Sequence, residues 1–215
     1  MSLKKNSEII IIGGGIAGSS LAYHLAKLNK TDVTLLERHQ LTSGTTWHAA
    51  GLIMQLRSTH SLTEIAKYNV ELYSTLESET GVATGFKQNG TLGVARTKDR
   101  MHETKTIASI AKSFNIQAEM ISPSEAKNIY PALNKECIEG AIYIPKDGQT
   151  NPVDTTMSLI AGAKKLGVSV HENIEVIDLK QNSDLSFSVF TKDQVINCEK
   201  LILLQKLYLF KFIFI

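Results

Sequence analysis

The sequence has few of the features that mark several classes of protein. Only two of its 215 residues are cysteine, Cys137 and Cys198, and they form no CxxC pair. This spacing predicts reduced, structural thiols in a cytosolic setting. The net charge is +2, so no charge excess indicates binding to nucleic acid or to a membrane surface. The sequence also lacks internal repeats and low-complexity linkers.

Targeting and membrane segments are not evident either. Residues 1–7 are too short and polar for a signal peptide and do not form an Arg-rich amphipathic presequence, so we expect a cytoplasmic protein. Residues 205–215 are apolar, but they are too few to span a bilayer and include Lys206 and Lys211. Hydrophobic residues make up 43% of the chain and charged residues 20%, which is ordinary for a globular protein of one domain or two small ones.

The stretch from Glu8 to Glu37 carries the main signal in the sequence. Residues 9–12 are four isoleucines that run into glycines, which predicts a strand buried on both faces of a parallel sheet. The glycines fit GxGxxG as Gly13, Gly15 and Gly18. Glycines at this spacing allow a tight turn, the close approach of a pyrophosphate, and close packing of the next helix on the strand.

The residues that follow complete a dinucleotide-binding unit. We expect a helix over residues 16–28, with its first N–H groups directed at phosphates and with Leu21, Leu25 and Leu28 on one face. A second strand over residues 33–36 ends at Glu37, whose carboxylate can accept hydrogen bonds from both hydroxyls of a ribose. An acid there argues against a 2′-phosphate, so NADP is not expected. These residues leave FAD and NAD both open.

Small and hydroxyl residues dominate residues 42–52, the segment after the second strand. This composition suits backbone packed around a ligand, with N–H and O–H donors directed at phosphates. The only tryptophan, Trp47, stands beside His48. Taken alone, the segment favours a polar turn before a helix, with His48 as a surface or capping residue.

Three segments together resemble the N-terminal part of the D-amino-acid-oxidase-type flavoproteins, and among these the dimethylglycine dehydrogenase and sarcosine dehydrogenase family. They are residues 9–37, residues 41–52 with Ser-Gly-Thr-Thr-Trp-His-Ala-Ala-Gly-Leu, and residues 146–162 with KDGQTNPVDTTMSLIAG. The resemblance covers residues 7–204. In that family the histidine of the second segment is joined covalently to the 8α carbon of the flavin. The resemblance therefore implies FAD as the cofactor and His48 as its attachment point.

The same resemblance implies a set of cofactor-binding residues, including Val176 at a position whose backbone contacts the adenine. The set is Gly13, Gly15, Ile16, Ala17, Gly18, Glu37, Arg38, Gly44, Thr45, Thr46, Trp47, His48, Ala49, Ala50, Gly51, Leu52 and Val176. It includes no catalytic acid or base and no metal ligand. Asn151 stands where the family usually has aspartate, and we interpret it as a helix cap.

The fold class implied is α/β, with a Rossmann-like FAD-binding domain (a parallel sheet with helices) plus part of an antiparallel substrate-domain sheet. The FAD-binding part is expected from residues 1–82 and 151–204, and the substrate-sheet part from residues 83–150. Local patterns predict a helix over residues 62–80, with Ile65, Tyr68, Leu72 and Leu76 in the core. They also predict a hairpin over residues 86–95 that turns at Asn89-Gly90. Further helices are expected over residues 98–114, after Ser122-Pro123 and after Asn151-Pro152.

The function implied is oxidation of an N-methylated glycine, such as dimethylglycine or sarcosine, by hydride transfer to a covalently bound flavin. Oxygen or an electron-transfer flavoprotein would take the electrons. The resulting iminium would be hydrolysed or trapped by tetrahydrofolate, which belongs to the C-terminal part of such enzymes. After Leu204 the sequence departs from the family pattern, so we expect a truncated or frame-shifted product.

Two further functions stay open at this stage. A non-catalytic member of the same family, such as the regulatory subunit of pyruvate dehydrogenase phosphatase, would act as a binding protein. An NAD-dependent dehydrogenase would need only the first 40 residues, and it would leave the segment 42–52 unexplained. An inactive truncated remnant of the flavoprotein is the third alternative.

Overall fold

The structure is a computed structural model that describes residues 3–204. In chain order the strands and helices are β1 (Asn6–Ile12), α1 (Ile16–Lys27), β2 (Val33–Leu36), β3 (Leu52–Ile53), α2 (His60–Thr80), β4 (Thr91–Ala95), α3 (Lys98–Ser113), β5 (Glu119–Ile121), α4 (Pro123–Ile129), β6 (Gly140–Ile144), β7 (Gly148–Gln149), α5 (Pro152–Lys165), β8 (Ser169–His171), β9 (Val176–Gln181), β10 (Phe187–Thr191) and β11 (Val195–Leu203). Short 3-10 turns cover Thr46–His48 and Lys135–Cys137.

These elements form two units. Within the described residues, the first unit comprises residues 3–50, 76–84 and 151–204, and the second comprises residues 51–75 and 85–150. Residues 51–75 were expected in the first part, so the predicted boundary needs a correction. The reason is long-range pairing: β3 pairs with β7, and the Gln55 backbone N–H donates to the Asp147 carboxylate at 2.9 Å.

The first unit is built on a six-stranded sheet in the order β8-β2-β1-β11-β10-β9. Strands β8, β2, β1 and β11 are parallel, with Ile10 of β1 opposite Thr34 of β2 and Leu201 of β11. Strands β10 and β9 continue the sheet in antiparallel pairing. The sheet thus has the parallel centre that the isoleucine run predicts, and the mixed α/β fold is confirmed.

Burial explains why β1 lies at the centre of this sheet. Its four isoleucines are all buried, and each buried side chain of this size contributes about 1.5–3 kcal/mol to the free energy of unfolding. One core cluster comprises Ile10, Ile12, Leu36, Val176, Leu179, Val189, Ile196 and Cys198. The cysteine is reduced and packed in this cluster, as the sequence predicted for a structural thiol, whereas Cys137 is reduced but exposed.

The leucine face of helix α1 is not its buried face. The sequence placed Leu21, Leu25 and Leu28 on one face of the helix, and in the structure Leu28 is 72% exposed. The buried positions are instead Gly18, Ser19, Ala22, Tyr23 and Ala26. Small residues occupy this face because α1 approaches the strand so closely that a Cβ at Gly18 would collide with the Gly13 carbonyl oxygen.

The second unit contains the three-stranded antiparallel sheet β4-β6-β5 and the pair β3-β7. Helix α3 packs on the three-stranded sheet around Ala111, Ile116, Ile142 and Ile144. The predicted hairpin over residues 86–95 is wrong. Residue Lys87 pairs with Gln149 through two backbone hydrogen bonds, whereas β4 pairs with β6. Gly90 has φ at +78°, and its N–H donates to the Asp147 carbonyl at 2.9 Å, so the segments on either side of it pair with residues that are distant in sequence.

The predicted core face of helix α2 is confirmed in the second half of the helix and is wrong in the first half. Leu72 and Leu76 are buried, whereas Ile65 is 58% exposed and Tyr68 is also exposed. The buried residues in the first half are Thr63, Ala66 and Val70. Both sets follow the helical spacing, so the sequence pattern alone could not choose between the two stripes.

The predicted capping residues lie at the starts of helices α4 and α5. Ser122 caps α4 with a full capping box, and Pro123 follows it as the first helical residue. The side chain of Asn151 caps α5 by accepting hydrogen bonds from the N–H groups of Val153 and Asp154. Gly81 follows α2 with φ at +74°. The predicted tail of residues 205–215 lies outside the described residues.

Candidate dinucleotide site

A cavity of about 400 Å³ lies in the first unit, where β1 and β2 end. Its walls come from the glycine turn, from the end of β2, from the loop over residues 42–46, and from the residues around the start of β9. The lining residues are Ile12, Gly13, Gly15, Leu36, Glu37, Arg38, His39, Thr42, Ser43, Gly44, Thr45, Thr46, Ile174, Glu175, Val176 and Leu204. Ligands of open α/β sheets bind at the carboxyl ends of parallel strands, which is where this cavity lies.

The predicted glycine turn lines the cavity through Gly13 and Gly15. Gly13 has φ at +117°, a conformation that side chains rarely adopt, and its N–H donates to the Leu36 carbonyl at 2.9 Å. The turn brings the N-terminus of α1 to the cavity. The N–H of Ile16 donates to the Thr46 hydroxyl at 3.0 Å, so the loop that follows β2 also closes over this helix end.

Glu37 is held in place by backbone donors. One carboxylate oxygen, Oε2, accepts a hydrogen bond from the Gly14 N–H at 2.7 Å, and the other, Oε1, accepts one from the His39 N–H at 3.0 Å. Each carboxylate oxygen can accept more than one hydrogen bond. The acid is thus fixed at the cavity wall with acceptor capacity left for a hydroxyl donor, and its binding of a ribose stays a prediction.

The loop over residues 41–46 is fastened at both ends. At its start, the side chain of Leu41 is buried beside Gly14, where a Cβ would lie 2.5 Å from the leucine Cδ2. At its end, Thr46 is buried and binds the N–H of Ile16. Ser43, Gly44 and Thr45 between these anchors are exposed and line the cavity. A Cβ added at Gly44 would meet nothing within 4 Å, so the loop faces open space at this position.

The structure gathers about half of the predicted site residues around the cavity. The predicted residues that line it are Gly13, Gly15, Glu37, Arg38, Gly44, Thr45, Thr46 and Val176. Those of the first unit outside its lining are Ile16, Ala17, Gly18, Trp47, His48, Ala49 and Ala50. The remaining two, Gly51 and Leu52, fall in the second unit.

His48 lies in the 3-10 turn that follows this loop. Its ring and the Trp47 ring are 3.6 Å apart between centroids and tilted by 32°. Both side chains are exposed. His48 therefore has an ordered neighbour, and its role as the flavin attachment point stays a prediction.

Several lining residues were not among the predicted cofactor-binding residues, although Thr42 and Ser43 lie in the segment 42–52 that was expected around a ligand. They are Ile12, Leu36, His39, Thr42, Ser43, Ile174, Glu175 and Leu204. For Ile12, Leu36 and Leu204 a signal existed, because each is at or next to the carboxyl end of a parallel strand. Ile174 and Glu175 carried no such signal, since their segment reaches the cavity by pairing with residues 37–39.

Burial also changes the acid–base behaviour of two groups in this unit. It raises the pKa of the Cys198 thiol to about 11, which leaves that cysteine protonated and inert. It lowers the pKa of His171 at the end of β8, and the positive charge of Lys164 adds to that effect. Neither group lines the cavity. Among residues 3–204, no cluster of three or more His, Cys, Asp or Glu side chains is arranged to hold a metal ion.

These features fit an adenine dinucleotide. A Cβ at Gly15 would approach the Thr46 hydroxyl to 3.0 Å, and one at Gly18 would displace α1 from the turn, so the glycines keep the room beside the helix N-terminus. The family comparison decides which cofactor class applies, because residues 8–204 match the family described as "FAD dependent oxidoreductase". The chain belongs to the FAD-dependent oxidoreductase family.

Several curated proteins are similar to most of this chain. The chain is 36% identical to 4-methylaminobutanoate oxidase (formaldehyde-forming) from Paenarthrobacter nicotinovorans, over 94% of this chain and 24% of that protein. It is 39% identical to mouse mitochondrial sarcosine dehydrogenase over 85% of this chain and 20% of that protein. It is also 33% identical to the mouse mitochondrial pyruvate dehydrogenase phosphatase regulatory subunit, over 93% of this chain and 23% of that protein.

The chain thus spans about a fifth to a quarter of the length of these curated relatives. Two of their names include a mitochondrial location, which is said of those proteins, and the cytoplasmic location expected here stays a prediction.

Among solved structures, L-proline dehydrogenase from P. horikoshii superposes with a TM-score of 0.89 at 28% identity, covering 98% of this chain and 55% of that one. No helix within residues 3–204 is both long enough and apolar enough to cross a membrane.

Proposed function

We propose that this chain forms the FAD-binding part of an amine oxidoreductase that acts on N-methylated amino acids. The observation that carries the proposal is the cavity at the ends of β1 and β2, where the glycine turn, the start of α1 and the Glu37 carboxylate meet. Membership of the FAD-dependent oxidoreductase family supports FAD as the occupant.

The chain's own residues would bind and orient the cofactor. Glu37 would accept hydrogen bonds from the ribose of the adenosine, since its two oxygens are already positioned by Gly14 and His39. The N-terminus of α1, which follows Gly15 at the cavity, and the hydroxyls of Ser43 and Thr45 would stabilise the pyrophosphate. When bound, FAD supplies the redox chemistry by accepting a hydride equivalent from the N-methyl carbon of the amine.

The relatives' names support the substrate class. Sarcosine and 4-methylaminobutanoate both carry an N-methyl amine and a carboxylate, and the two relatives that act on them match most of this chain. We therefore propose an N-methylated amino acid as the substrate, with dimethylglycine and sarcosine as the first compounds to assay. An electron-transfer flavoprotein as electron acceptor and tetrahydrofolate as acceptor of the one-carbon unit extend the proposal to the whole enzyme.

Covalent attachment of the flavin through His48 belongs to the same proposal. The experiment is a denaturing gel of the purified chain, viewed for flavin fluorescence and backed by an intact mass. We expect a fluorescent band with the mass of FAD added, and we expect His48→Ala to lose it. His102→Ala is the control and should keep the band, because His102 is an exposed histidine of the second unit. If FAD binds but is released on denaturation, the proposed covalent attachment at His48 is wrong, whereas the proposed FAD-binding site is still supported.

A non-catalytic role is the second candidate, favoured by the 33% identity to a phosphatase regulatory subunit. The two functions differ in what the site must do. Flavin bound to the chain and reduced by sarcosine or dimethylglycine supports the oxidoreductase. A chain that leaves flavin unbound at every concentration tested, and that binds a phosphatase in a pull-down, supports the regulatory role.

A further inference from the structure

We propose that Glu172 is a positioning residue for the cofactor, acting through the loop over residues 41–46. Its carboxylate oxygen Oε1 accepts a hydrogen bond from the Leu41 N–H at 2.6 Å, although the two residues are 131 positions apart in sequence. Glu172 itself does not line the cavity, whereas five of the six loop residues do. The inference rests on the proposed function, because it concerns the binding of that same dinucleotide.

The segment that carries Glu172 runs beside the ribose-binding residues. Glu37 donates its N–H to the His171 carbonyl at 2.9 Å, and its own carbonyl accepts the Ile174 N–H at 2.9 Å. The Asn173 N–H donates to the His39 carbonyl at 3.0 Å. These three backbone bonds hold the segment in register with the end of β2, so the Glu172 side chain reaches Leu41 from a fixed support.

The loop needs such a support because its backbone is strained next to Leu41. Thr42 has φ at +68° and is buried. A β-branched residue with this φ is a genuine outlier and costs on the order of a kcal/mol or more unless its surroundings impose it. The Thr42 N–H has one long hydrogen bond, 3.3 Å to the Gly14 carbonyl. The short bond from Leu41 to Glu172 is therefore the strongest polar anchor at the start of the loop.

Anchoring the loop before the cofactor arrives would raise affinity. Ordering a loop costs free energy, and a loop already held in the binding conformation spares that cost when the ligand binds. Thr46 fixes the far end through the Ile16 N–H. Glu172 then fixes the near end, and Ser43, Gly44 and Thr45 between them are presented to the dinucleotide with little freedom left to lose.

The test compares Glu172→Ala, Glu172→Gln and Glu77→Ala, the last removing an exposed acid of the same unit. All of these proteins, the reference included, also carry His48→Ala, so that FAD binds reversibly. Two quantities are measured on the full chain: the dissociation constant of FAD, and hydrogen exchange of the Leu41 and Thr42 amides without FAD. In Glu172→Ala we expect about tenfold weaker FAD binding and about tenfold faster exchange at Leu41, because a hydrogen bond to a charged group is lost. Exchange in β1 should not change.

The conservative variant separates positioning from a general loss of stability. Glutamine keeps an acceptor oxygen, so Glu172→Gln should stay within about threefold of the wild-type dissociation constant. Adding Thr42→Gly to Glu172→Ala should restore part of the FAD affinity, since glycine adopts the positive φ without steric cost and the loop then needs less support. A merely structural role for Glu172 would give no such recovery.

The outcomes are distinct. Wild-type exchange and wild-type FAD affinity in Glu172→Ala would overturn the proposal. Faster exchange with unchanged affinity would overturn its cofactor part, because the loop would then be irrelevant to binding. If the wild-type chain binds no FAD, the proposed function fails, and the exchange data still decide whether Glu172 holds the loop.

Discussion

The Gly14 N–H donates a 2.7 Å hydrogen bond to the Glu37 carboxylate, joining the glycine turn after β1 to the residue that ends β2. The two residues also pack tightly, since a Cβ at Gly14 would lie 2.9 Å from the Glu37 Cβ. The acid that would bind the ribose thus also ties the two central strands together at the edge of the cavity. Binding and local folding are coupled at this one side chain.

Glu37→Gln should weaken FAD binding by about tenfold or more. The amide group of glutamine places an N–H₂ where one of two carboxylate oxygens accepts a backbone hydrogen bond, so one donor is left unpaired. Titration with FAD in a His48→Ala background, which prevents covalent attachment, measures the effect through quenching of flavin fluorescence. Glu77→Gln, an exposed acid of α2, is the control and should bind as wild type. Equal affinities in all three proteins would contradict the role given to Glu37.

Gly18→Ala should destabilise the first unit by about 3 kcal/mol, at the upper end of the usual cost of overpacking. The added methyl group would collide with the Gly13 carbonyl oxygen and push α1 away from β1. Urea denaturation measures the free energy of unfolding. Gly44→Ala is the matched control, because its added Cβ would meet nothing within 4 Å and should leave the stability within about 0.5 kcal/mol.

Tyr23→Phe should cost about 1 kcal/mol of stability. The Tyr23 hydroxyl donates a 2.7 Å hydrogen bond to the Glu79 carboxylate, which also pairs with Lys27 at 2.9 Å. The ring is buried and would stay in place, so the change isolates the hydrogen bond. Tyr130→Phe, at an exposed tyrosine, is the control for losing a hydroxyl. A loss of similar size in both variants would refute the importance of the bond to Glu79.

His171 should make the stability depend on pH near neutrality. Burial lowers its pKa in the folded chain below the ordinary value of 6.5, so the unfolded chain binds the proton more readily. The free energy of unfolding that His171 contributes is therefore fully present above pH 6.5, and it is lost as the pH falls through the pKa of the folded chain. We expect urea midpoints to fall between pH 7.5 and 5.5 in the wild type, and less so in His171→Gln. An NMR titration showing an ordinary histidine pKa would remove the basis of this prediction.

Local patterns in the sequence correctly predicted much of the fold. The isoleucine run, the glycines and Glu37 occur in the order that a βαβ unit requires, and the structure forms β1, α1 and β2 at those residues. The caps at Ser122 and Asn151 were equally predictable, since a cap depends on residues within one turn of the helix. Eight of the predicted cofactor residues line the cavity, because they lie on this same unit.

The sequence by itself thus determined β1, α1, β2, the glycine turn and the capped helix starts, since each depends on neighbouring residues. Tertiary structure alone decided which stripe of α1 and of α2 is buried, because both helices carry more than one pattern with helical spacing. It also decided that Lys87 pairs with Gln149 and that Glu172 reaches Leu41. Such contacts join residues far apart in the chain, and they form only when the sheet has brought those segments together.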